Sequence, residues 1–599
     1  MTFQLREILL LLICQPHRLA AAFWWHLCGK RVRARNYLQR AIAKLPFAYE
    51  RGIQMAGADD LATIRSASCA DWPGGKPSTA ICVYLHIALD DEPAAAKRAA
   101  ASALRQSIMP VKVFVATAGA PEAWVSRPEI EIVAGAEGGR IAGLHQALSR
   151  ARSADAAYLV PLAADASLPH HALAAYAAHC VRSLSPDDML PILYGDQDEA
   201  AGGAEGNRPW LKPDWDARMI LSQDYVGAAC ALPVAAALRC LDDTDHPSVQ
   251  SLYELILRLS LGKAEVPVSH VHRITASTAA DHWQRSEPGN TDAIARIIDP
   301  RAQTRPGPSG TTSVHWPLPE PAPKVSIVVA TRDRAELLRT CVEGLLNATD
   351  YPDFEIIIAD NDSREAEALE YLAEVTADPR VRVVRWPHRF NYSAINNFAA
   401  GFATGQFICL LNNDIEILHA DWLTAMVREA VQPGVGAVGA RLLYPDRSIQ
   451  HAGVVLGVGN AAGHAHRGLP EGEPGYFAQA LIARGASAVT GACLLVAKHY
   501  FDAVGGLDEQ DLAVAYNDVD LCLKLRELGL ANIYTPAATL IHHESKSRGL
   551  DFAPEHLERY LRELAVFQQR WDTTRVVDPW HHPALDRASE VFGGPQGKA

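Results

Sequence analysis

This 599-residue chain is short of four things, and each shortage narrows what it does. It has no long apolar run: the longest near the start, Ile8 to Cys14, is seven residues and stops at Gln15-Pro16. A bilayer-spanning helix needs about 20, so no transmembrane helix is expected. Its eleven cysteines include no CxxC pair, and several, such as Cys409 and Cys493, sit inside apolar runs. That pattern reads as reduced, buried thiols in a cytosolic protein. Positive charge is also scarce: the net charge of -13 argues against a general nucleic-acid binder, which needs a basic footprint, although local basic patches are compatible with it. Finally, no Gly-rich phosphate loop of the G-x-G-x-x-G or Walker kind follows a first strand.

What is present exceeds one hydrophobic core, so two or more domains are expected. The first 51 residues combine apolar stretches, Trp24-Trp25 and nine Lys or Arg against Glu7 and Glu50. A helix of that make-up lies in a membrane interface or packs as a hairpin on the protein itself, and both readings stay open. A signal peptide is disfavoured, because no small-residue cleavage site follows cleanly. Residues 306–324, "PGPSGTTSVHWPLPEPAPK", read as an extended linker.

After that stretch, "VSIVVATRDRAELLRTCVEGLL", "FEIIIAD" and "RVRVVRW" alternate strand with helix, which argues for a parallel sheet with crossover helices. The first half opens alike, with "STAICVYLHIALDD" and then "VKVFVATAG". The strand starts at Ile81 and Ser326, and the acidic strand ends at Asp165 and Asp414, are separated by similar intervals. Two copies of one architecture are therefore expected.

Polar groups stand where second-half strands should end: Thr331, Arg332 and Asp333; Asp360, Asn361 and Asp362; Asn412, Asn413 and Asp414. At one sheet edge they would form a nucleotide pocket, with one carboxylate accepting from base or ribose and another holding a divalent cation. Each acid alone is equally a turn or cap residue. "AVAYNDVDLCLKLRELGL" places Asp518 on the apolar face marked by Leu521, Leu525 and Leu528. Either Asn517 or Asp518 caps the helix, or Asp518 is a catalytic base.

Residues 323 to 570 resemble the family-2 glycosyltransferases of the GT-A fold, especially the bacterial branch that builds surface polysaccharides. "TRDRAELLRTCVEGLL" and "IIIADNDS" look like the family's opening elements, and "FNYSAINNFAA", which contains Asn397, looks like the helix before its metal motif. "LLNNDIEIL" is similar to its DxD-type motif, "VTGACLLV" to its acceptor side, "YNDVDLCLKLRELG" to its base motif and "LIHHESKSRG" to its late His motif.

The resemblance implies an inverting hexosyl- or rhamnosyltransferase that uses Mg2+ or Mn2+. Asp518 would be the catalytic base, with Asp414 and His542 (slightly favoured over His543) on the metal. Thr331, Arg332, Asp333, Asp360, Asp362, Asn397, Asn412 and Asn413 would face the nucleotide-sugar. Thr490, Gly491, Ala492 and Asn517 would face the acceptor. Two positions depart from the pattern: Asn517 stands where relatives carry Glu, and Asn412 where they carry the first metal acid. His464 and His466 in "GHAHRG" read as structural or acceptor-side.

Residues 80 to 275 resemble the same family more faintly. "RPWLKPDWDARMILSQDYVG" is similar to an FKPDW-type stretch with Leu211 replacing Phe. Ala163 replaces a metal acid beside Asp165, and in "QSLYELILRLS" Leu252 occupies the base position. The expected fold class is thus α/β, two tandem GT-A domains with mostly parallel sheets plus a helical N-terminal segment. The boundaries are 1–75 basic helical segment, 76–275 degenerate copy, 276–322 linker, 323–580 catalytic domain and 581–599 flexible tail.

The expected partners are a nucleotide-diphosphate sugar donor and a glycan or lipid-linked glycan acceptor, with no nucleic acid. The expected place is cytoplasmic, peripheral on the cytoplasmic face of the inner membrane where residues 1–51 take the interfacial reading. The first half is read as a pseudo-enzyme that holds acceptor or partner. The alternatives are a bifunctional enzyme with Asp196, Asp198 or Asp224 as a second base, or a non-catalytic scaffold of polysaccharide assembly.

Overall fold

A computed structural model describes residues 16–27, 34, 38, 79–88, 91–117, 126–133, 139–183, 189–200, 208–243, 248–279, 290–543, 554–587, 590 and 592–595. The chain divides into two compact units, one built mainly from residues 56–314 and the other mainly from 315–594. Most of the basic segment 1–75 lies outside the described residues. Its helix Pro16–Leu27 exposes Phe23, Trp24 and Leu27. Among the described residues no helix is long and apolar enough to cross a membrane.

The strands of the first unit are β1 (Ile81–Ile87), β2 (Val113–Thr117), β3 (Ile130–Ile132), β4 (Tyr158–Leu162), β5 (Ile192–Ala200), β6 (Arg208–Trp210), β7 (Leu232–Pro233) and β8 (Val268–Ala279). They form a sheet of order β3-β2-β1-β4-β7 and another of order β6-β5-β8. An antiparallel bridge from Leu193 in β5 to Ala231 beside β7 joins the two. Within the stretch expected to be linker, residues 290–297 form a helix, and β9 (Gln303–Pro306) pairs with β10 (Thr312–His315).

The second unit contains β11 (Val325–Thr331), β12 (Phe354–Asp360), β13 (Val381–Arg385), β14 (Phe407–Asn412), β15 (Ile415–Ile417) and β16 (Val435–Leu443). It continues with β17 (Ile449–His451), β18 (Val454–Leu456), β19 (Ala462–His464), β20 (Arg484–Ala486), β21 (Cys493–Ala497) and β22 (Ala531–His542). The main sheet runs β13-β12-β11-β14-β21-β16-β22-β15. Its first four strands are parallel, as the alternating sequence pattern implies.

The pairing order of the first unit, 3-2-1-4-7-5-8, repeats that of the second, 13-12-11-14-21-16-22. Even the register shift recurs, after Gly195 in β5 and after Ala440 in β16.

Successive strand residues point to opposite faces. Val325, Ile327 and Val329 therefore enter one core while Val328 enters the other, and Cys409 and Leu411 separate from Ile408 and Leu410 in the same way. Helix Ala335–Ala348 covers the first face with Leu338, Cys341, Val342 and Leu345, one stripe at helical spacing. Helices Tyr392–Ala400 and Asn517–Glu527 cover the other.

Two expectations change here. Leu521 and Leu525 are buried, but Leu528 is 53% exposed because it follows the last helical turn. Beyond residue 580, where a flexible tail was expected, the described residues pack down. His581 and Leu585 are buried, and Phe592 stacks on His466 and Tyr476 at centroid distances of 4.5 and 5.0 Å.

Helix Asn517–Glu527 is held by a carboxylate that the sequence did not single out. Asp520, fully buried, accepts from Arg570 Nη1 at 2.9 Å and Trp571 Nε1 at 3.0 Å, and lies 3.2 Å from Lys524 Nζ. Helix Pro554–Trp571 supplies the first two partners. Removing one member of a buried ion pair costs about 3–5 kcal/mol. Asp520→Ala is therefore expected to lower stability by about 3 kcal/mol in urea unfolding, and a loss below about 1 kcal/mol would show that the helix is held by its apolar face alone.

Candidate active site

The parallel strands deliver their last residues to one edge. Thr331 is level with Asp360, Ala330 with Asn412, and Asp360 with Arg385. Thr331 Oγ1 accepts from Asn413 Nδ2 at 3.0 Å, and Asp360 Oδ1 accepts from the Ser363 amide at 3.0 Å. Asn361 ties the edge to the loop after β13, donating to the carbonyls of Trp386 and His388 at 3.1 and 2.8 Å.

Other expected nucleotide ligands have protein partners already. Asp333 Oδ1 accepts the amides of Arg364 and Glu365 at 2.7 and 2.9 Å, just before helix Ala366–Val375. Those backbone donors are the main reason its carboxyl is held below the usual range. Asp362 is bracketed by Arg385 at 2.8 Å and Arg364 at 3.1 Å, and the Arg385 hydrogen bond is the main cause holding its carboxyl low. Arg332 is half-exposed, 3.9 Å from Asp333. Asn397 spends both ends of its amide on the backbone of Leu507, at 2.8 and 3.0 Å, which makes it a structural tie.

Around Asp414 the geometry is different. Pairing of β15 with β22 sets Ile415 opposite His542. Asp414 Oδ1 consequently lies 3.1 Å from His542 Nε2, while His543 turns to Glu416 at 2.8 Å and gives its backbone amide to the Asp414 carbonyl at 3.0 Å. Both Asp414 and His542 are buried, yet His542 Nδ1 has no hydrogen-bond partner and Asp414 Oδ1 meets only the His542 ring, outside hydrogen-bond geometry. A buried carboxylate oxygen and imidazole nitrogen left in that state fit a pair that takes up a cation.

From this pair a run of polar contacts reaches Asp518. His542 Nε2 is 3.3 Å from Asn412 Nδ2. The Tyr392 hydroxyl lies 3.1 Å from Asn412 Oδ1 and 3.1 Å from the Gly491 carbonyl. The Gly491 amide then donates to Asp518 Oδ2 at 2.7 Å, and Val519 N–H donates to Oδ1 at 2.8 Å.

Neither residue stands at the cap position, because the helix begins after Tyr516 in the left-handed conformation (φ 62°), yet Asp518, in the first turn, still satisfies the free N–H of Val519. Asn517 is buried instead, donating to Ser393 Oγ at 2.9 Å and the Val514 carbonyl at 3.2 Å. Of the other residues expected on the acceptor side, Ala492 gives its carbonyl to the Asn412 amide and its own N–H to Thr490 Oγ1. Tyr392 was missed because a Tyr at the first turn of a helix looks like ordinary core.

The histidines of "GHAHRG" diverge: His464 meets His451 at 2.9 Å, and His466 stacks on Phe592. Burial pushes His466 well below the usual imidazole range.

Residues 326–456 match the family model described as Glycosyl transferase family 2. The matched stretch lies within the second unit. The chain is 37% identical over 428 residues to an uncharacterized protein, y4gI, of Sinorhizobium fredii, covering 68% of this chain and 46% of that protein. It is 34% identical over 436 residues to the O-antigen biosynthesis protein RfbC of Myxococcus xanthus, covering 71% of this chain and 33% of RfbC. The chain thus spans less than half the length of either relative. Among solved structures, the mannosyltransferase PcManGT of Pyrobaculum calidifontis in complex with GDP-Man and Mn2+ aligns with TM-score 0.31 and 18% identity, over 42% of this chain and 67% of that one.

The polar run from His542 to Asp518 makes Gly491 sensitive to size. A Cβ there would stand 3.3 Å from Asp518 Cβ and 3.6 Å from the Tyr392 hydroxyl. Gly491→Ala is expected to cost about 1–2 kcal/mol through overpacking. Tyr392→Phe should cost about 1 kcal/mol by leaving Asn412 Oδ1 short of a donor. Guanidinium unfolding of both variants checks this; two unchanged midpoints would mean that the run is not closed in solution.

Proposed function

We propose that the chain is an inverting glycosyltransferase, moving a sugar from a nucleotide-diphosphate donor to a glycan or lipid-linked glycan in bacterial cell-surface polysaccharide synthesis. The observation that carries this reading is the continuous polar run from Asp414 and His542 to Asp518 in the unit with the family-2 domain. Similarity to RfbC, whose name concerns O-antigen biosynthesis, supports the biological setting. The exposed Phe23, Trp24 and Leu27 support a peripheral contact with the cytoplasmic face of a membrane.

In this reading the acceptor hydroxyl oxygen bonds to the anomeric carbon as the bond from that carbon to the diphosphate oxygen breaks. The hydroxyl proton passes to Asp518, and one displacement inverts the configuration. Asp518 is half-buried with each oxygen already held by a backbone N–H, so it is aimed before the acceptor arrives. Asp414 and His542 would hold a divalent cation, Mg2+ or Mn2+, whose charge stabilises the departing diphosphate. Thr331, Asp360 and Asn413 would face the nucleoside at the strand ends.

The first unit is proposed to be non-catalytic. In helix Leu252–Leu261 the buried Glu254 is held by Arg258 at 2.8 Å and Arg296 at 3.0 Å, much as Asp520 is held by Arg570. Two residues before the held acid stands Leu252 in one unit and Asp518 in the other. The structural acid is present in both, the base in one.

The purified chain, given a panel of UDP-, dTDP- and GDP-sugars with and without Mn2+, is expected to bind and slowly hydrolyse one donor. Asp518→Asn should then lose about 10²–10⁴-fold in turnover while keeping donor affinity. Asp414→Ala should weaken binding only when Mn2+ is present. Unchanged hydrolysis in Asp518→Asn would move the chemistry to the first unit, and no binding of any donor would favour a scaffold.

A further inference from the structure

The first unit contains a cluster that the transferase reading leaves unused. Among the described residues, Asp214, His270 and His272 form the one group of three such side chains whose donor atoms all lie within 4.8 Å of one another. His270 and His272 alternate on β8, so both project from the same face. Asp214 comes from the loop between β6 and the helix at residues 219–222, so two separate stretches of chain converge.

Asp214 Oδ1 is 3.2 Å from His270 Nδ1 and 2.9 Å from His272 Nε2. A tetrahedral ion with ligands at about 2.0–2.2 Å sets neighbouring donor atoms about 3.3–3.6 Å apart, so each imidazole need only draw back from the Asp214 oxygen by some tenths of an ångström to admit one.

The surroundings of His270 ask for a cation. Its Nε2 lies 3.0 Å from Asp196 Oδ1, so each ring nitrogen faces a carboxylate oxygen. A neutral imidazole has a single N–H, and one of the two contacts would set a lone pair against a carboxylate. A second proton on Nδ1 would resolve this, and so would a metal ion.

The convergence of His272 on the same Asp214 oxygen favours the metal, because one ion in place of the two shared protons would keep all three donor atoms together. Asp196 is placed as an outer carboxylate to a ligating imidazole, fixing its tautomer. It is itself positioned by the Lys212 amide at 2.8 Å, and Tyr194 stacks on the His270 ring at 4.7 Å. His270 is buried, whereas the side chains of His272 and Asp214 are 39% exposed, which provides an entry path and room for a solvent ligand.

We propose that Asp214, His270 and His272 bind a divalent transition-metal ion of the zinc class, at a site with three protein ligands and an open position. Two imidazoles and one carboxylate select zinc-like ions over the Mg2+ or Mn2+ that oxygen-rich sites prefer. The ion ties the loop carrying Asp214 to the β5–β8 ladder. It is separate from the cation assigned to Asp414 and His542, which belong to the other unit.

The test uses the full chain stripped with chelator, in an Asp414→Ala background that removes the other cation site. Zn2+ titrated by calorimetry should bind one equivalent, Co2+ should give a visible ligand-field absorption, and Zn2+ should raise the unfolding temperature by several degrees. His272→Gln and Asp214→Asn, both partly exposed and expected to fold, should abolish the equivalent and the absorption. Their unfolding temperature in chelator should stay near that of the stripped background. Asp196→Asn should weaken binding about 10–100-fold. No bound Zn2+ in the background chain, or binding unchanged in His272→Gln and Asp214→Asn, overturns the proposal. So does an unfolding temperature that falls equally in chelator and in Zn2+, which would make the cluster a hydrogen-bonded one only.

Discussion

A parallel sheet covered by helices on both faces leaves polar side chains little room except where its strands end. The second unit obeys that constraint closely. Strands β11, β12 and β14 are buried along nearly their whole length and turn polar at Thr331, Asp360 and Asn412. The site is therefore a product of the core: the apolar alternation that drives folding also fixes which residues reach the edge and in what register. Mixed pairing then does the rest. Antiparallel β15 brings Asp414 beside His542, some 130 residues away in sequence, and the segment before β21 presents Gly491 to Asp518.

The two units show what such a core demands and what it leaves free. Both keep the strand order and a shifted register in the parallel pair at the far side, and both hold a buried acid in the first turn of a helix with arginine. Those features hold packed elements together and cost several kcal/mol to lose. Residues at the strand ends have no such duty. Ala163 and Leu252 stand where the resemblance led to acids being expected.

Much of the second unit was legible because its signals are local. The stripes Leu338, Cys341, Val342, Leu345 and the run "SIVVAT" identify helix and strand without any tertiary knowledge, and the polar strand ends follow from them. Asp518 could be singled out by its helix start, but its partners could not, since the Gly491 amide is a backbone group that sequence patterns do not advertise. Asp333 and Asn397 carry ties that the sequence did not foretell. Both are polar residues near suggestive motifs, and both are committed to backbone groups that only the fold brings close. Asp520 and the cluster of Asp214, His270 and His272 were invisible for the same reason, their partners being distant in the chain. The segment from residue 581 lacks periodicity, so the burial of Phe592 against His466 left no trace in the pattern.

Asp518 is gripped through one oxygen by its own helix and through the other by the turn at Gly491. Its rotational freedom is therefore surrendered during folding. The same arrangement makes the aim of that carboxylate a property of how firmly the helix seats against the sheet. Warming that loosens the seating by a fraction of an ångström would blur the direction of the carboxylate while every strand remained paired.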